Sequence, residues 1–384
     1  MNYPKEVWDF IAQNKTENIN TLAFKLSKKN DWPTDFILAQ VNGIQKGKKK
    51  FPSLLEKIIF PPARALEQAS SEETAFYKAS LMEGTSLWDL SGGMGIDSFA
   101  FSKRFKSVKY VEQNETLVSL AKENYNRLEA ENIQCIHEKA EDFLSKTTAK
   151  ADWIYLDPDR REKTKRLVSI EDCSPNVLKI QELLLKKSSR LMIKLSPMLD
   201  IQQALKGLPH TYEVVIVSVK NECKELLFLM DHEVHQNPLI KAIHLQSGKM
   251  ESFSFHFQEE NETPVAYSEP LHFLYEPNAS IMKSGGFHAL AKQFGLLKLA
   301  PNTHLYTSEE KQPGFPGRII AIERVEKPTK GLIKAANVVV RNFPMKPEEI
   351  RKKYKIAESK DVFCYACTLA NKKRAFIIGK RCFD

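Results

Sequence analysis

The sequence predicts an open α/β sheet with helices on both faces, a helical region before it and small α+β units after it. Three observations carry this expectation. From about Thr85 to about residue 230, strand-like and helix-like segments alternate, which implies parallel strands joined by helical crossovers. Before residue 80, apolar positions recur at helical spacing instead. After residue 235 the alternation stops, and short strand-like runs follow.

The N-terminal 80 residues place Val7, Ile11, Leu22, Phe24, Leu26, Phe36, Ile37 and Val41 at helical intervals. Gly47 and the run Lys48–Lys50 read as an exposed helix end before Pro52, and another helix is expected to start near Ser70–Ser71 with Glu72 and Glu73 in its first turn. The next block, 81–234, contains strand-like runs at 86–90, 108–112, 133–137, 152–156, 191–195, 213–219 and 225–230. Helical stretches at 115–130 and 176–187 separate the earlier ones, whereas the short gap around Asn221–Lys224 suits an antiparallel hairpin at one edge. In 235–313, the runs flanking Ser247–Gly248–Lys249 read as a hairpin, and 286–293 as a short helix. In 314–384, strand-like 317–325 and 337–343, helical 347–354 and two further strand-like runs form a small α+β unit.

A chain of 384 residues suggests two or three domains. Its hydrophobic share of 42% is ordinary, and no stretch approaches the ~20 apolar residues of a membrane span. Six cysteines make no disulfide scaffold, and the first ten residues lack an apolar signal core, so a reducing cytoplasm is the expected location. The net charge of +9 is unevenly distributed: from Gly314 onward there are 17 Lys+Arg against 7 Asp+Glu, and 40 against 41 before it. The C-terminal fifth therefore carries the basic excess, which suits a polyanion or a solvated surface.

The strongest chemical signal is Leu87-Trp88-Asp89-Leu90-Ser91-Gly92-Gly93-Met94-Gly95-Ile96-Asp97. An apolar strand ends in an acid, and three glycines then precede a helix. Glycines let the backbone turn sharply and approach a ligand, and a helix N-terminus favours the ligand's polar end. The order G-G-x-G departs from the dinucleotide pattern G-x-G-x-x-G, because its third glycine comes too early. A plain tight turn is the bland alternative. The next strand ends in Glu112, where a carboxylate can accept hydrogen bonds from both ribose hydroxyls of a nucleoside cofactor. After the third strand, Glu141 or Asp142 could meet an adenine amino group or favour the start of a helix.

The fourth strand runs into Asp157-Pro158-Asp159-Arg160-Arg161. Ligands bind beyond the carboxyl ends of such strands, so this loop should face the glycine turn. Asp157 could orient or deprotonate a nucleophile, Pro158 would stiffen its loop, and Arg160 and Arg161 have a fork suited to phosphate or carboxylate. A charged surface turn is the alternative. Lys194-Leu195-Ser196-Pro197 and Asn221-Glu222-Cys223-Lys224 also fall at strand ends, where turn and salt-bridge roles compete with pocket lining. Cys364-x-x-Cys367, with Cys382 beyond, is not read as a metal site, since two cysteines at this spacing on one strand point to opposite faces. Nothing marks Cys223 as an activated nucleophile.

Together, D-x-S-G-G-x-G, the acid ending the next strand and the D-P after the fourth resemble the core of a class I, Rossmann-like methyltransferase. The segment 67–78, D-P-D-R-R, K-L-S-P-M-L-D and E-C-K-E resemble a bacterial group of these enzymes that ends in a THUMP-like domain. Tyr275-Glu276-Pro277-Asn278-Ala279 and Phe315-Pro316-Gly317-Arg318 are similar to the small ferredoxin-like segment preceding that tail.

The resemblance implies S-adenosyl-L-methionine as cofactor, lying across Asp89, Ser91, Gly92, Gly93 and Gly95, with Glu112 on its ribose, Glu141 or Asp142 near its adenine and Asp157 beside it. It implies catalysis by Asp157, Pro158 and Arg160, no metal and no membrane. THUMP domains bind RNA, often tRNA, so a basic THUMP-like tail implies an RNA substrate, tRNA or rRNA. One departure stands out: enzymes that methylate exocyclic base amines usually place an aromatic after Asn/Asp-Pro-Pro, and here Asp159 and Arg160 follow Pro158. A methyltransferase of a small molecule, protein or DNA, and a non-catalytic RNA-binding module with a relic pocket, are the alternative readings.

Overall fold

The computed structural model describes residues 3–29, 31–160 and 170–382. The chain divides into two compact units, Met1–His210 with Phe228–Val234, and Thr211–Leu227 with His235–Asp384. Among the described residues no helix is long and apolar enough to cross a membrane.

The first unit opens with α1 (Lys5–Asn14), α2 (Ile19–Leu26), α3 (Thr34–Lys50), α4 (Ala63–Gln68) and α5 (Glu72–Ser80). Asn18 caps α2 by accepting from the N–H groups of Asn20 and Thr21, and Ser71 caps α5 by accepting from Thr74. Val7, Ile11, Leu22, Leu26, Ile37 and Val41 pack into one cluster, as their spacing requires. Phe24 differs: it is 65% exposed on the outer face of the short α2, where the Lys28 ammonium lies 4.7 Å from its ring. The end of α3 also differs from expectation. Lys48 and Lys49 are exposed but Gly47 is buried, since a Cβ there would come within 2.9 Å of Leu55 and 3.2 Å of the Phe60 ring.

Strands β1 (Ser86–Asp89), β2 (Ser107–Glu112), β3 (Ile133–His137) and β4 (Ala151–Leu156) alternate with α6 (Ile96–Ser102), α7 (Glu115–Arg127) and α8 (Ala140–Lys146). A small hairpin, β5 (Asp159–Arg160) with β6 (Cys173–Ser174), precedes α9 (Val177–Lys187), β7 (Ser188–Leu195) and α10 (Ile201–Gly207). The sheet runs β7-β4-β1-β2-β3, and every neighbouring pair is parallel. Central β4 buries Trp153, Ile154, Tyr155 and Leu156, the continuous apolar run of a strand covered on both faces. Parallel register brings the carboxyl ends of β1, β2 and β4 together, with Asp89 opposite both Tyr110 and Tyr155.

In the second unit, β8 (Thr211–Val219) leads through Lys220 and Asn221, at φ 52° and 60°, into β9 (Glu222–Met230), whose last residues belong to the first unit. Two successive left-handed residues make the tight hairpin turn the sequence implied. The hairpin is not at an edge, however. Strand β10 (Leu239–Gln246) pairs parallel with β8, and β11 (Lys249–His256) pairs antiparallel beyond it. The reason is burial: Val214–Val219 is buried throughout, so the backbone N–H and C=O groups on the outer side of β8 need partners.

The unit continues with α11 (Phe257–Glu262), β12 (Phe273–Pro277), α12 (Ala279–Ser284), α13 (Phe287–Gln293), β13 (Leu297–Lys298), β14 (Tyr306–Ser308), β15 (Gly317–Glu326), β16 (Asn337–Arg341), α14 (Pro347–Tyr354), β17 (Val362–Thr368) and β18 (Arg374–Cys382). Its seven-stranded sheet has the order β13-β14-β12-β15-β18-β17-β16, so strands from both sides of residue 314 share one sheet. Cys367 packs with Leu274, Ile320 and Tyr365, while Cys364 packs on the other face with Val338, Ile350 and Phe376. Burial pushes both thiols up to about 12.

Candidate active site

The glycine turn of the first unit is shaped by its neighbours. Gly93 and Gly95 have φ of 53° and 85°, the left-handed region that costs a side chain strain. Gly92 has a different reason to be glycine: a Cβ there would lie 2.2 Å from the Tyr110 ring. At Gly95 a Cβ would lie 2.4 Å from the Tyr125 hydroxyl. The tyrosines also hold the turn, Tyr110 Oη donating to the Gly93 carbonyl at 2.7 Å and Tyr125 Oη to that of Gly95 at 3.1 Å. Beside Gly93 there is open space, where a Cβ would meet only the Ser91 carbonyl at 3.7 Å.

Glu112, at the end of β2, faces this turn. Its Oε2 accepts from the Gly93 N–H at 2.9 Å and its Oε1 from the Asn114 N–H at 2.8 Å. Asp89 points inward and is fully buried. It accepts from Ser98 Oγ at 2.6 Å and from the Ser91 N–H at 3.1 Å. Burial raises its pKa to about 7, against the Ser98 hydrogen bond, and the charges of Asp97 and Asp157 add to the rise. Asp89 thus ties the turn to α6. Glu141 and Asp142 are both exposed in the first turn of α8, whose N-cap Lys139 makes no side-chain capping bond.

The loop after β4 meets the same turn. Ser91 Oγ accepts from the Asp157 N–H at 2.6 Å, which joins the first and fourth signals of the sequence through one hydroxyl. The Asp157 carboxylate is ion-paired with Lys194 at the end of β7. Lys194 also reaches Ser70 Oγ at 3.5 Å, and Ser70 Oγ accepts from Lys78 at 2.8 Å while donating to Asp97 Oδ2 at 2.8 Å. Lys78 Nζ lies 3.2 Å from Asp97 Oδ1, and Tyr155 Oη donates to Asp97 Oδ2 at 3.0 Å. Burial opposes the charge on Asp97, but Lys78, Lys194 and Ser70 outweigh it and hold the carboxyl below its usual range. Pro158 is buried, and Asp159 accepts from Gln68 of α4 at 3.0 Å. The expectations for the Arg160 side chain and for Arg161 fall outside the described residues.

The arrangement thus brings Ser91, Gly93, Glu112 and Asp157 together and adds Lys194. Sequence reasoning missed Ser70, Lys78 and Asp97. The segment 67–78 was flagged by resemblance, and Asp97 ends the glycine motif, but no local pattern shows that α5 brings a lysine to that acid. Cys223 and Asn221 lie in the second unit; burial raises the Cys223 thiol to about 11, and Asn221 accepts from the Ala279 N–H at 2.8 Å. Among the described residues no group of His, Cys, Asp or Glu is placed to hold a metal ion.

Residues 73–207 match a family model described as conserved hypothetical protein 95, residues 273–316 a ferredoxin-like domain, and residues 322–381 a THUMP domain-like model. The crystal structure of a candidate methyltransferase from Porphyromonas gingivalis W83 is similar over 100% of both chains, with a TM-score of 0.88 and 28% identity. A candidate methyltransferase from Streptococcus mutans, in complex with SAH, matches 41% of this chain and 96% of its own, at 14% identity and a TM-score of 0.32. An rRNA methylase from Streptococcus thermophilus matches 42% of this chain and 95% of its own, at 14% identity and a TM-score of 0.32. No protein of curated function matches the sequence.

The parallel sheet, the glycine turn after β1 and the acid after β2 define a class I, Rossmann-like methyltransferase. The chain is an S-adenosylmethionine-dependent methyltransferase carrying a THUMP-like domain near its C-terminus.

Proposed function

We propose that this enzyme methylates RNA, a tRNA or an rRNA, at a nucleotide placed above Asp157. The observation that carries the catalytic part is the single chain of contacts Glu112–Gly93 and Ser91–Asp157. The open space beside Gly93, next to a carboxylate at the end of β2, fits the ribose and the polar end of S-adenosylmethionine. In that reading Asp89, Ser91, Gly92, Gly93 and Gly95 shape the cradle, Glu112 accepts from the ribose hydroxyls, and Glu141 or Asp142 serves the adenine side. When bound, the cofactor supplies an electrophilic methyl group. The protein's part is to hold a nucleophile in line with it, which lowers the entropic share of the barrier.

Asp157 does this by accepting a hydrogen bond from the acceptor group. Its pairing with Lys194 fixes its direction, so its part is to orient the acceptor. Pro158 and Arg160 complete the loop. RNA as the substrate rests on the THUMP-like match and on the basic C-terminal fifth, where Lys327, Lys330, Lys352, Lys353, Lys372 and Lys373 are exposed. Cytoplasmic RNA is the expected pool.

The test is transfer of labelled methyl from S-adenosylmethionine to total RNA from cells lacking the protein, beside an Asp157→Ala control. Label in one RNA size class, absent with the control, is expected. No label from protein that binds the cofactor would point to a small molecule, protein or DNA instead.

A further inference from the structure

The second unit contains a polar cavity of 220 Å³ on which two segments singled out in the sequence converge, Glu276-Pro277-Asn278 and Gly317-Arg318. Register explains the convergence: Glu276 pairs with Arg318 and Pro277 with Gly317 across β12 and β15. The backbones press so closely that a Cβ on Gly317 would lie 2.2 Å from the Glu276 carbonyl. The cavity floor at Gly317 is therefore bare main chain.

The electrostatics of this cavity are lopsided. Two carboxylates line it, and both have partners within the protein. Glu276, 3% exposed, is held by Arg318 at 3.1 Å, Arg341 at 2.5 Å and the Tyr365 hydroxyl at 2.8 Å. Glu251 accepts from the Asn278 amide at 2.9 Å. Three cations line the same space: Arg318 inside, with exposed Lys220 and Arg381. Lys220 sits at φ 52° in the two-residue turn between β8 and β9. Arg318 and Arg341 are themselves the partners of Glu276, so with Lys220 and Arg381 at the rim four positive groups stand around two carboxylates.

We propose that this cavity is a second binding site, and that it takes a phosphate group with its attached sugar. Guanidinium forks match phosphate oxygens in pairs, and an ammonium adds a point charge. The volume lies below the ~300 Å³ at which drug-sized pockets begin, which suits a sugar phosphate. The phosphate has two possible sources, a free sugar phosphate or the backbone of an RNA chain. The second source rests on the function proposed above; the first does not.

The experiment uses the full-length chain and a Lys220→Ala/Arg381→Ala variant, with Lys48→Ala/Lys49→Ala as a charge-matched control. Thermal melting checks that both variants fold. Calorimetry with ribose 5-phosphate, and with ribose as its uncharged counterpart, reads the first source. Binding of total tRNA across a salt series reads the second. We expect the rim variant to lose at least tenfold in sugar-phosphate affinity, RNA affinity or both, with a salt slope shallower by about 1–2 in the RNA arm. Loss in the RNA arm alone assigns the site to the chain backbone, and loss in the ribose 5-phosphate arm alone assigns it to a free sugar phosphate. Unchanged binding in both arms, or a loss equalled by the control, overturns the proposal. If the wild-type chain binds ribose 5-phosphate but no RNA, the RNA reading fails while the site stands.

Discussion

Glu112 Oε2 accepts a 2.9 Å hydrogen bond from the backbone N–H of Gly93. One carboxylate thus spans the end of β2 and the turn after β1, and its other oxygen is held by Asn114. Pre-positioning of this kind means that a ligand meets an acceptor already aimed, with little ordering left to do on binding.

Replacing Glu112 by Ala is expected to weaken S-adenosylmethionine binding by ~1–3 kcal/mol, the range for hydrogen bonds to a charged group. Isothermal titration measures it directly. Unchanged affinity would show that the ribose lies elsewhere.

Lys194 is expected to matter through Asp157. Lys194→Ala leaves Asp157 without its ion-pair partner, and a misplaced orienting group can cost ~10²-fold in rate. Lys194→Arg should recover part of the loss, because a guanidinium can also pair with the Asp157 carboxylate. Equal loss in both variants would reduce Lys194 to a structural role.

Asp89 makes stability depend on pH. The folded protein holds its proton up to about pH 7, whereas the same carboxyl in the unfolded chain releases it near 3.8. Between those values the folded state binds more protons than the unfolded state, so Asp89's contribution to stability falls as pH rises and levels off above 7. Asp89→Asn keeps an acceptor for the Ser91 N–H and cannot ionise. Melting temperatures from pH 5 to 8 should therefore fall less steeply in this variant; an unchanged slope would contradict the assignment.

Lys78 is fully buried, and Asp97 depends on it. Lys78→Met should destabilise by ~3–5 kcal/mol, because it strands a buried carboxylate. Adding Asp97→Asn should recover much of that loss in a denaturant melt. The depressed Asp97 carboxyl also predicts a contribution present above the unfolded value of 3.8 and lost as pH falls through the folded one.

Much of the site was legible because its signals are local. A glycine that must adopt φ of 53°, and an acid ending the next apolar strand, leave their mark in a few adjacent residues. The helix Pro347–Tyr354 was equally plain, since Pro347 can open a helix and Glu348–Glu349 suit its first turn. Phe24 was misjudged for the opposite reason. Helical spacing says which face a residue occupies, but not whether anything covers that face.

The sequence by itself determined the alternation that builds the parallel sheet, the turn that follows β1 and the acid at the end of β2. Each follows from short-range backbone and patterning preferences that need no partner to be read. Only the tertiary structure decided that Lys78 and Ser70 reach Asp97, that Lys194 holds Asp157, and that β10 pairs with β8. It alone also brought Glu276 to Arg318 at a cavity. Those pairings join residues far apart in the chain, and their energies depend on desolvation and distance, which exist only once the chain has folded.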